Sequence, residues 1–211
     1  VIPNGIDPEL FRPNPKARET IRRTLGISDE TPVIGMVGRF HPQKDHYNFV
    51  QAAQYLSRSM PEVRFLLCGE EVTWENAELA GWIDDAGIRE RVFLLGKRDD
   101  IPELTAAFDI ASLSSMGEGF PNVVVEAMAC GVPCVVTDVG ESARIVGDAG
   151  LVVPRRDPQA LANAWLKVLA MDGDDRKRLG LSARERVIEH YSLTQIVSRY
   201  ERLFEELAGK E

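Results

Sequence analysis

Residues 110–137 read IASLSSMGEGFPNVVVEAMACGVPCVVT. The apolar runs at its two ends, Ile110 to Leu113 and Val132 to Thr137, are typical of strands buried on both faces of a sheet. The segment between them, Val123 to Ala129, contains three consecutive valines, which favour a strand. Pro121 before it and the AMACG ending favour a short helix instead. A strand, a helix and a second strand in this order predict one unit of a parallel sheet.

The same alternation continues on both sides of this unit. Further strands are predicted at Val33 to Gly38, Val63 to Gly69, Val92 to Gly96 and Leu151 to Val153. Helical patterns cover residues 16–25, 48–56, 75–86 and 101–108. After Pro154 only helices are predicted, one starting at Asp157-Pro158 and the last at a capping box that begins at Ser192. The sequence therefore predicts an α/β fold, a Rossmann-like, doubly wound parallel sheet of about six strands with helices on both faces and extra C-terminal helices.

The composition is that of an ordinary globular protein, with 44% hydrophobic and 27% charged residues. The net charge of −8 repels polyphosphate backbones, so nucleic acid is not expected as a partner. No apolar run in the sequence is long enough for a membrane span. Cys68, Cys130 and Cys134 stand in apolar stretches and are expected to be buried, reduced thiols. Without a Cys/His cluster, no metal site is expected.

The loop after the first predicted strand carries two cations. Gly38 ends the strand, and Arg39 and Lys44 follow within six residues. Ligands of parallel sheets bind beyond the carboxyl ends of the strands, and two cations beside a backbone turn suit a diphosphate. Two solvated surface cations are the alternative.

The loop after the fourth predicted strand, Gly117 to Asn122, contains two glycines that let the backbone approach a ligand closely. With Pro121 at the first helical position, the free N–H groups of Asn122 and Val123 would face an anion. A tight turn without a ligand is the alternative. Together the two loops predict a phosphate site.

Glu126 is the single charged residue between Glu118 and Asp138. A buried carboxylate is costly unless it is paired or hydrogen-bonded. A structural ion pair or a bound polyol would satisfy it, and a carboxylate can accept two hydrogen bonds from a vicinal diol. We therefore interpret Glu126 as a candidate residue for binding hydroxyl groups.

Other polar segments are less informative. Lys97 and Arg98 follow the third predicted strand and fit either a loop that caps a nucleobase or a polar turn. Three further pairs of cations are expected to line solvated helix faces. They are Arg155 with Arg156, Lys177 with Arg178, and Arg184 with Arg186.

Taken together, these segments resemble the C-terminal, donor-binding domain of a family 4 retaining glycosyltransferase of the GT-B fold. The resemblance covers nearly the whole chain, including Val1 to Asp7, Val37 to Phe40 with Lys44, and Tyr191-Ser192 with Tyr200. Its most specific part is Glu118 to Pro133, which contains the family's two glutamates separated by seven residues, Glu118 and Glu126. One departure is Gly140-Glu141-Ser142, where many members have two glycines.

The resemblance implies a donor site for a UDP- or GDP-linked sugar, with no metal and no cofactor. Arg39, Lys44 and Glu118 are the expected catalytic residues; the cations would neutralise the diphosphate, and Glu118 would hold hydroxyls of the sugar. Glu126 would hold the ribose hydroxyls. The remaining donor-binding residues would be Gly38, Gly119, Phe120, Pro121, Asn122 and Val123, with Lys97 and Arg98 beside the nucleobase.

The resemblance also implies a division of the chain. Residues 1–32 would be an interdomain segment, 33–190 the nucleotide-sugar-binding domain, and 191–211 a helix that crosses back to an N-terminal domain. That domain would bind a glycan or lipid-linked acceptor of polysaccharide or lipopolysaccharide biosynthesis. Since this chain begins with Val and has no counterpart of it, we expect an inactive fragment. The whole enzyme is expected in the cytoplasm, or at the inner membrane face for a lipid acceptor, with no membrane contact from this acidic fragment.

Four other functions are weighed against the pattern. A sugar-nucleotide epimerase of GT-B type would draw catalytic residues from two domains, and a phosphorylase would need a cofactor-binding lysine motif that the sequence lacks. A non-catalytic nucleotide-sugar-binding module would not need both glutamates together with Arg39 and Lys44. A flavodoxin-like domain that binds a protein partner is the remaining alternative.

Overall fold

A computed structural model of the chain describes residues 2–209. Its sheet consists of β1 (Val33–Val37), β2 (Arg64–Cys68), β3 (Val92–Leu94), β4 (Ile110–Leu113), β5 (Cys134–Thr137) and β6 (Gly150–Val153). All neighbouring strands are parallel, in the order β3-β2-β1-β4-β5-β6. The predicted doubly wound sheet is confirmed. Val1 of the N-terminal motif and residues 210–211 of the predicted last helix lie outside the described residues.

The α-helices are α1 (Pro15–Thr24), α2 (His46–Ser59), α3 (Ala77–Asp85), α4 (Ile101–Ala106), α5 (Asn122–Ala129), α6 (Ser142–Val146), α7 (Pro158–Leu169), α8 (Gly173–His190) and α9 (Leu193–Ala208). One face of the sheet is covered by α2, α3 and α7, where the ring centroids of Phe49, Phe65 and Trp165 lie 5.0 to 6.2 Å apart. The other face is covered by α1, α4, α5, α6 and α8. Helices on both faces explain why the strands are almost continuously apolar.

The two central strands define where a ligand can enter. The chain proceeds from β1 outward to β3 on one side, then returns to β4 and proceeds outward to β6 on the other. The loops after β1 and β4 therefore diverge and leave a crevice at the carboxyl edge, the topological switch point where open α/β sheets bind ligands. The predicted phosphate loops are these two loops.

The predicted interdomain segment, residues 1–32, contributes side chains to the core of this domain. Phe11 and Ile27 are buried, and the Arg22 side chain is only 1% exposed. Arg22 Nη2 lies 2.7 Å from Asp109 Oδ2, and its other nitrogens donate to backbone carbonyls. Asp109 also pairs with Arg18 at 2.7 Å and accepts from the Val33 N–H at 2.8 Å. The N-terminal segment is thus attached to the starts of β1 and β4.

Two predictions for the C-terminal helices need correction, and the prediction for the cysteines is confirmed. Arg184 and Arg186 do not line solvated faces, because they donate to backbone carbonyls, among them those of Phe11 and Ile145. Ser192 precedes α9 as predicted, but its hydroxyl donates to the Ile188 carbonyl at 2.9 Å, so no capping box forms. The expectation of buried, free thiols is confirmed for all three cysteines.

The last helix is attached mainly at its start. The Ile6 N–H donates to the Tyr191 carbonyl and the Leu193 N–H donates to the Ile6 carbonyl, both at 2.8 Å. Beyond this point the helix leaves an apolar face in solvent, with side chains 39% to 63% exposed at Val197, Tyr200, Leu203, Phe204 and Leu207. None of the helices within residues 2–209 is long and apolar enough to cross a membrane.

Candidate functional site

The loop after β1 is hydrogen-bonded to the end of β2 and to the loop that follows β2. The Gly38 N–H donates to the Cys68 carbonyl and the Phe40 N–H to the Glu70 carbonyl, both at 2.8 Å. This close approach requires Gly69, since a Cβ there would overlap the Gly38 carbonyl. Arg39 is exposed at the carboxyl edge, and its guanidinium makes no hydrogen bond or salt bridge within residues 2–209. Its charge is available to a ligand.

Lys44 and Glu118 contact each other directly across the switch point. Lys44 Nζ lies 2.6 Å from Glu118 Oε1, and the Ser115 hydroxyl donates to the same oxygen at 2.7 Å. The side chains are 22% and 12% exposed. The Ser114 hydroxyl also donates to the Lys44 carbonyl at 2.9 Å, which joins the two loops. Two predicted catalytic residues are therefore brought together, but as an ion pair that the sequence did not predict.

A third loop, between β5 and α6, supports the one that carries Glu118. Gly140 has φ +53°, and a Cβ at this position would overlap the Glu118 carbonyl. The next residue, Glu141, donates its N–H to the Gly119 carbonyl at 3.0 Å. Glu141 itself has φ −90°, so its replacement of the family's second glycine causes no backbone strain.

The start of α5 faces the crevice with unused N–H groups. The sequence favoured both a strand and a helix for this segment, and the structure contains the helix. Pro121 precedes α5 and is not its first residue, contrary to the prediction. No side chain caps this end, and the N–H groups of Asn122 and Val123 donate no hydrogen bond within residues 2–209. An uncapped helix start with free N–H groups is a favourable site for an anion. Phe120, just before it, packs against Tyr191 with ring centroids 5.8 Å apart.

Glu126 lies one turn further along α5 and is partly buried. Burial raises the pKa of its carboxyl group. Of the two predicted explanations, the ion pair is wrong, because the carboxylate has no salt bridge or hydrogen bond within residues 2–209. The carboxylate is left available to donors from a ligand.

The two glutamates line adjoining clefts. Glu118 and Gly119 line one of about 510 Å³, together with Glu141 and Arg144. Glu126 and Asn122 line the other, of about 400 Å³. Both volumes lie in the range of about 300–1,000 Å³ that is usual for ligand sites.

Lys97 and Arg98 are placed at the β3 end of the carboxyl edge. Arg98 Nε donates to Asp100 Oδ1 at 2.7 Å, and this hydrogen bond raises the pKa of the guanidinium. Neither residue lines the clefts of Glu118 and Glu126. Their place beside a nucleobase stays a prediction.

Some site residues were not found from the sequence. Ser115, which donates to Glu118, follows the apolar strand β4 together with a second serine, and this polar pair was the available signal. Asn4 lines both clefts and donates to the Asn122 side chain at 3.0 Å. Only the fold brings it there. The described residues contain no group of three or more side chains suited to a metal ion, and metal independence stays a prediction.

A family model described as glycosyl transferases group 1 matches residues 31–171, about two thirds of the chain. The chain belongs to this family. The UDP-Gal:alpha-D-GlcNAc-diphosphoundecaprenol alpha-1,3-galactosyltransferase of Escherichia coli is 28% identical to this group 1 domain over 97% of the chain and 53% of that protein.

Two solved structures resemble the group 1 domain closely. The Anabaena protein HepE in complex with UDP and glucose has a TM-score of 0.86 and 28% identity, over 99% of this chain and 56% of that one. The C-terminal domain of the group 1 family protein LpcC from Francisella tularensis has a TM-score of 0.77 and 25% identity, over 90% of this chain and 100% of that one. The chain spans about half the length of the curated relatives that it matches. It is a glycosyltransferase domain that corresponds to the C-terminal domain of a GT-B enzyme.

Proposed function

We propose that this domain binds a UDP- or GDP-linked sugar in the crevice between the β1 and β4 loops, as the donor half of a retaining hexosyltransferase. One arrangement carries the proposal. Two carboxylates, Glu118 and Glu126, flank a helix start whose N–H groups are free, and Arg39 and Lys44 lie at the same edge. A phosphate between two diols matches this order of groups. The UDP complex of HepE supports a nucleotide as the ligand.

The diphosphate would be held without a metal. Arg39, Lys44 and the α5 start place positive charge where negative charge develops as the diphosphate leaves. On binding, Lys44 would turn from Glu118 to a phosphate oxygen, and the Glu118 carboxylate would then accept from sugar hydroxyls. Ser115 would keep Glu118 in place during this exchange, because its hydroxyl already donates to Oε1.

The ribose would bind at Glu126. Its two oxygens can accept from both hydroxyls of a vicinal diol, and hydrogen bonds to a charged acceptor are stronger than neutral ones. The energetic cost of a partly buried carboxylate without a partner would be offset when the nucleotide binds. This explains why an acidic residue stands in an otherwise apolar helix.

Transfer would need an acceptor and a second domain. In the retaining step the bond from the sugar's anomeric carbon to the phosphate oxygen breaks, and the acceptor oxygen bonds to that carbon on the same face. The acceptor's proton passes to the leaving phosphate.

The acceptor would be a glycan or lipid-linked sugar held by an N-terminal domain. The apolar face of α9 would pack against that domain. The whole enzyme would then act in the cytoplasm or at the inner membrane face. Sugar transfer by this chain alone would contradict the proposed need for that domain.

Calorimetric titration of UDP and GDP tests the donor site. The wild-type chain should bind at least one of them. Glu126→Ala and Lys44→Ala should each weaken binding at least tenfold, since a hydrogen bond to a charged group contributes about 1.5–3 kcal/mol and a tenfold change corresponds to about 1.4 kcal/mol.

Two further comparisons assign the roles. With UMP or GMP, Lys44→Ala should lose less affinity than with the diphosphates, because the β-phosphate is missing. Glu126→Ala should lose as much, because the ribose is present in both. The matched controls Lys167→Ala and Glu185→Ala change exposed residues on α7 and α8 and should bind like the wild type. Unchanged affinity in both site variants would overturn the assignment.

A further inference from the structure

A separate hollow lies at the first turns of α2. It has a volume of about 370 Å³ and is lined by Asp45, Tyr47, Asn48, Gln51, Met116 and Arg156. It shares no lining residue with the clefts of Glu118 and Glu126. The proposed donor site therefore leaves this hollow unexplained.

Asn48 is the residue that points most clearly to a ligand. It is 3% exposed, and neither its side-chain nitrogen nor its oxygen has a hydrogen-bond partner within residues 2–209. The helix start does not use this amide, because the capping contact is from the Asn48 backbone N–H to Asp45 Oδ1 at 3.2 Å. A buried amide without partners costs about 1–3 kcal/mol, so its presence calls for an explanation. An amide both donates and accepts, and so does a hydroxyl group.

Tyr47 adds an aromatic face beside this amide. Its side chain is 49% exposed, and its ring meets Trp82 edge-on at 5.2 Å and 70°. The ring centroid of Trp82 in turn lies 5.7 Å from that of Phe40, and these rings line a smaller hollow that Tyr47 also lines. The contacts fix the orientation of an exposed ring. A sugar ring can pack its C–H face on such a ring while its hydroxyls bond to amides and carboxylates.

The charges around the hollow indicate a neutral occupant. Asp45 and Arg156 contribute one charge of each sign, and Gln51 adds a second amide. Asp45 caps the start of α2, with a backbone φ of +50°, and its side chain accepts from the Asn48 N–H. Its carboxylate at this position would repel an anion. A phosphate or carboxylate ligand is thereby disfavoured, whereas a polyol finds both donors and acceptors.

We propose that this hollow is a second carbohydrate site, which binds a neutral hexose unit through Asn48, Gln51 and Asp45 with its ring against Tyr47. Asp45 directly follows Lys44, and Met116 lies two residues before Glu118, so the occupant sits beside the donor crevice without entering it. The site requires only sugar hydroxyls and does not depend on the proposed donor site.

A titration followed by amide chemical shifts tests the proposal. The 15N-labelled chain is titrated, without and with UDP, with the methyl α-glycosides of glucose, galactose, mannose and N-acetylglucosamine. At least one of them should shift the amide signals of Tyr47, Asn48, Gln51 and the Trp82 indole with a saturating curve. If none of the four glycosides shifts the signals of this region, the proposal is overturned.

Two variants separate a binding role from a structural one. Asn48→Leu should weaken the glycoside at least tenfold while keeping or raising the midpoint of thermal unfolding, because it removes a buried amide without partners. Gln51→Leu, at a partly exposed position, should weaken it as well and serves if the first variant does not fold. Asn163→Leu, an exposed position on α7, is the matched control. UDP affinity should be unchanged in all three, and glycoside binding unaffected by both site variants would refute the assignment.

Discussion

Replacing Asp109 by Ala should destabilise the chain more than any surface ion pair can. The carboxylate accepts from Arg18 and Arg22, each at 2.7 Å, and from the Val33 N–H at 2.8 Å. Arg22 is 1% exposed at its side chain, and burial already lowers its pKa. Asp109→Ala therefore leaves a buried charge without its counter-ion, which costs about 3–5 kcal/mol. For a chain of this size, that loss corresponds to a decrease of about 6–20 °C in the unfolding midpoint.

Urea unfolding followed by circular dichroism measures the effect. Asp84→Ala is the control, because its partner Arg89 and Asp84 are each about half exposed and such pairs contribute about 0–1 kcal/mol. The double variant Arg22→Met with Asp109→Leu should recover much of the loss, since it removes the charge as well as its partner. A loss of unfolding free energy in Asp109→Ala no larger than that in Asp84→Ala would show that Asp109 does not stabilise the buried Arg22 charge.

Three further predictions concern the site and its surroundings. Gly140→Ala should lower the unfolding free energy by about 1–3 kcal/mol and weaken nucleotide binding, because position 140 has a positive φ and an added Cβ would meet the Glu118 carbonyl. The control Gly81→Ala lies in open space on α3 and should stabilise the chain by about 0.5–1 kcal/mol. Burial raises the pKa of Glu126, so the wild-type folded state is destabilised when this carboxyl group ionises. Glu126→Gln should therefore become more stable relative to the wild type as the pH rises above about 4.5, the ordinary pKa of the group. Denaturation at about pH 4 and pH 7 measures the difference. Burial lowers the pKa of His46 to about 4 from 6.5, so the wild type should lose about 3 kcal/mol as pH falls between these values. His46→Gln should not show this loss and His41→Gln should, and identical pH profiles in both would contradict the buried neutral imidazole.

The fold was predictable because its strands are short apolar runs between helical patterns. Residues 110–137 gave the strand, helix and strand that the structure contains, and the helix was the harder choice because of its valines. The helix α6 was not found, since five residues carry too little periodicity. The buried roles of Arg22 and Arg184 were missed because the sequence does not show which backbone carbonyls the fold brings within reach.

The sequence predicted which residues form the candidate site better than it predicted the contacts between their side chains. Glu126 was found as a lone charge in an apolar stretch, and the structure leaves its carboxylate without a partner. The Lys44–Glu118 ion pair depends on the order of strands in the sheet, because residues 74 positions apart meet only when β1 and β4 are neighbours. Asn48 gave no signal, since an asparagine in the first turn of a helix is common and its burial follows from packing alone.

Crystals of the chain soaked with UDP and with GDP would show whether a nucleotide binds in the crevice between the β1 and β4 loops. We expect the ribose hydroxyls to lie within hydrogen-bond distance of the Glu126 carboxylate in at least one of the two crystals. We also expect the diphosphate between Arg39, Lys44 and the start of α5, with the Lys44–Glu118 contact opened. A nucleotide bound elsewhere, or no nucleotide at this edge of the sheet in either crystal, would contradict the proposed donor site.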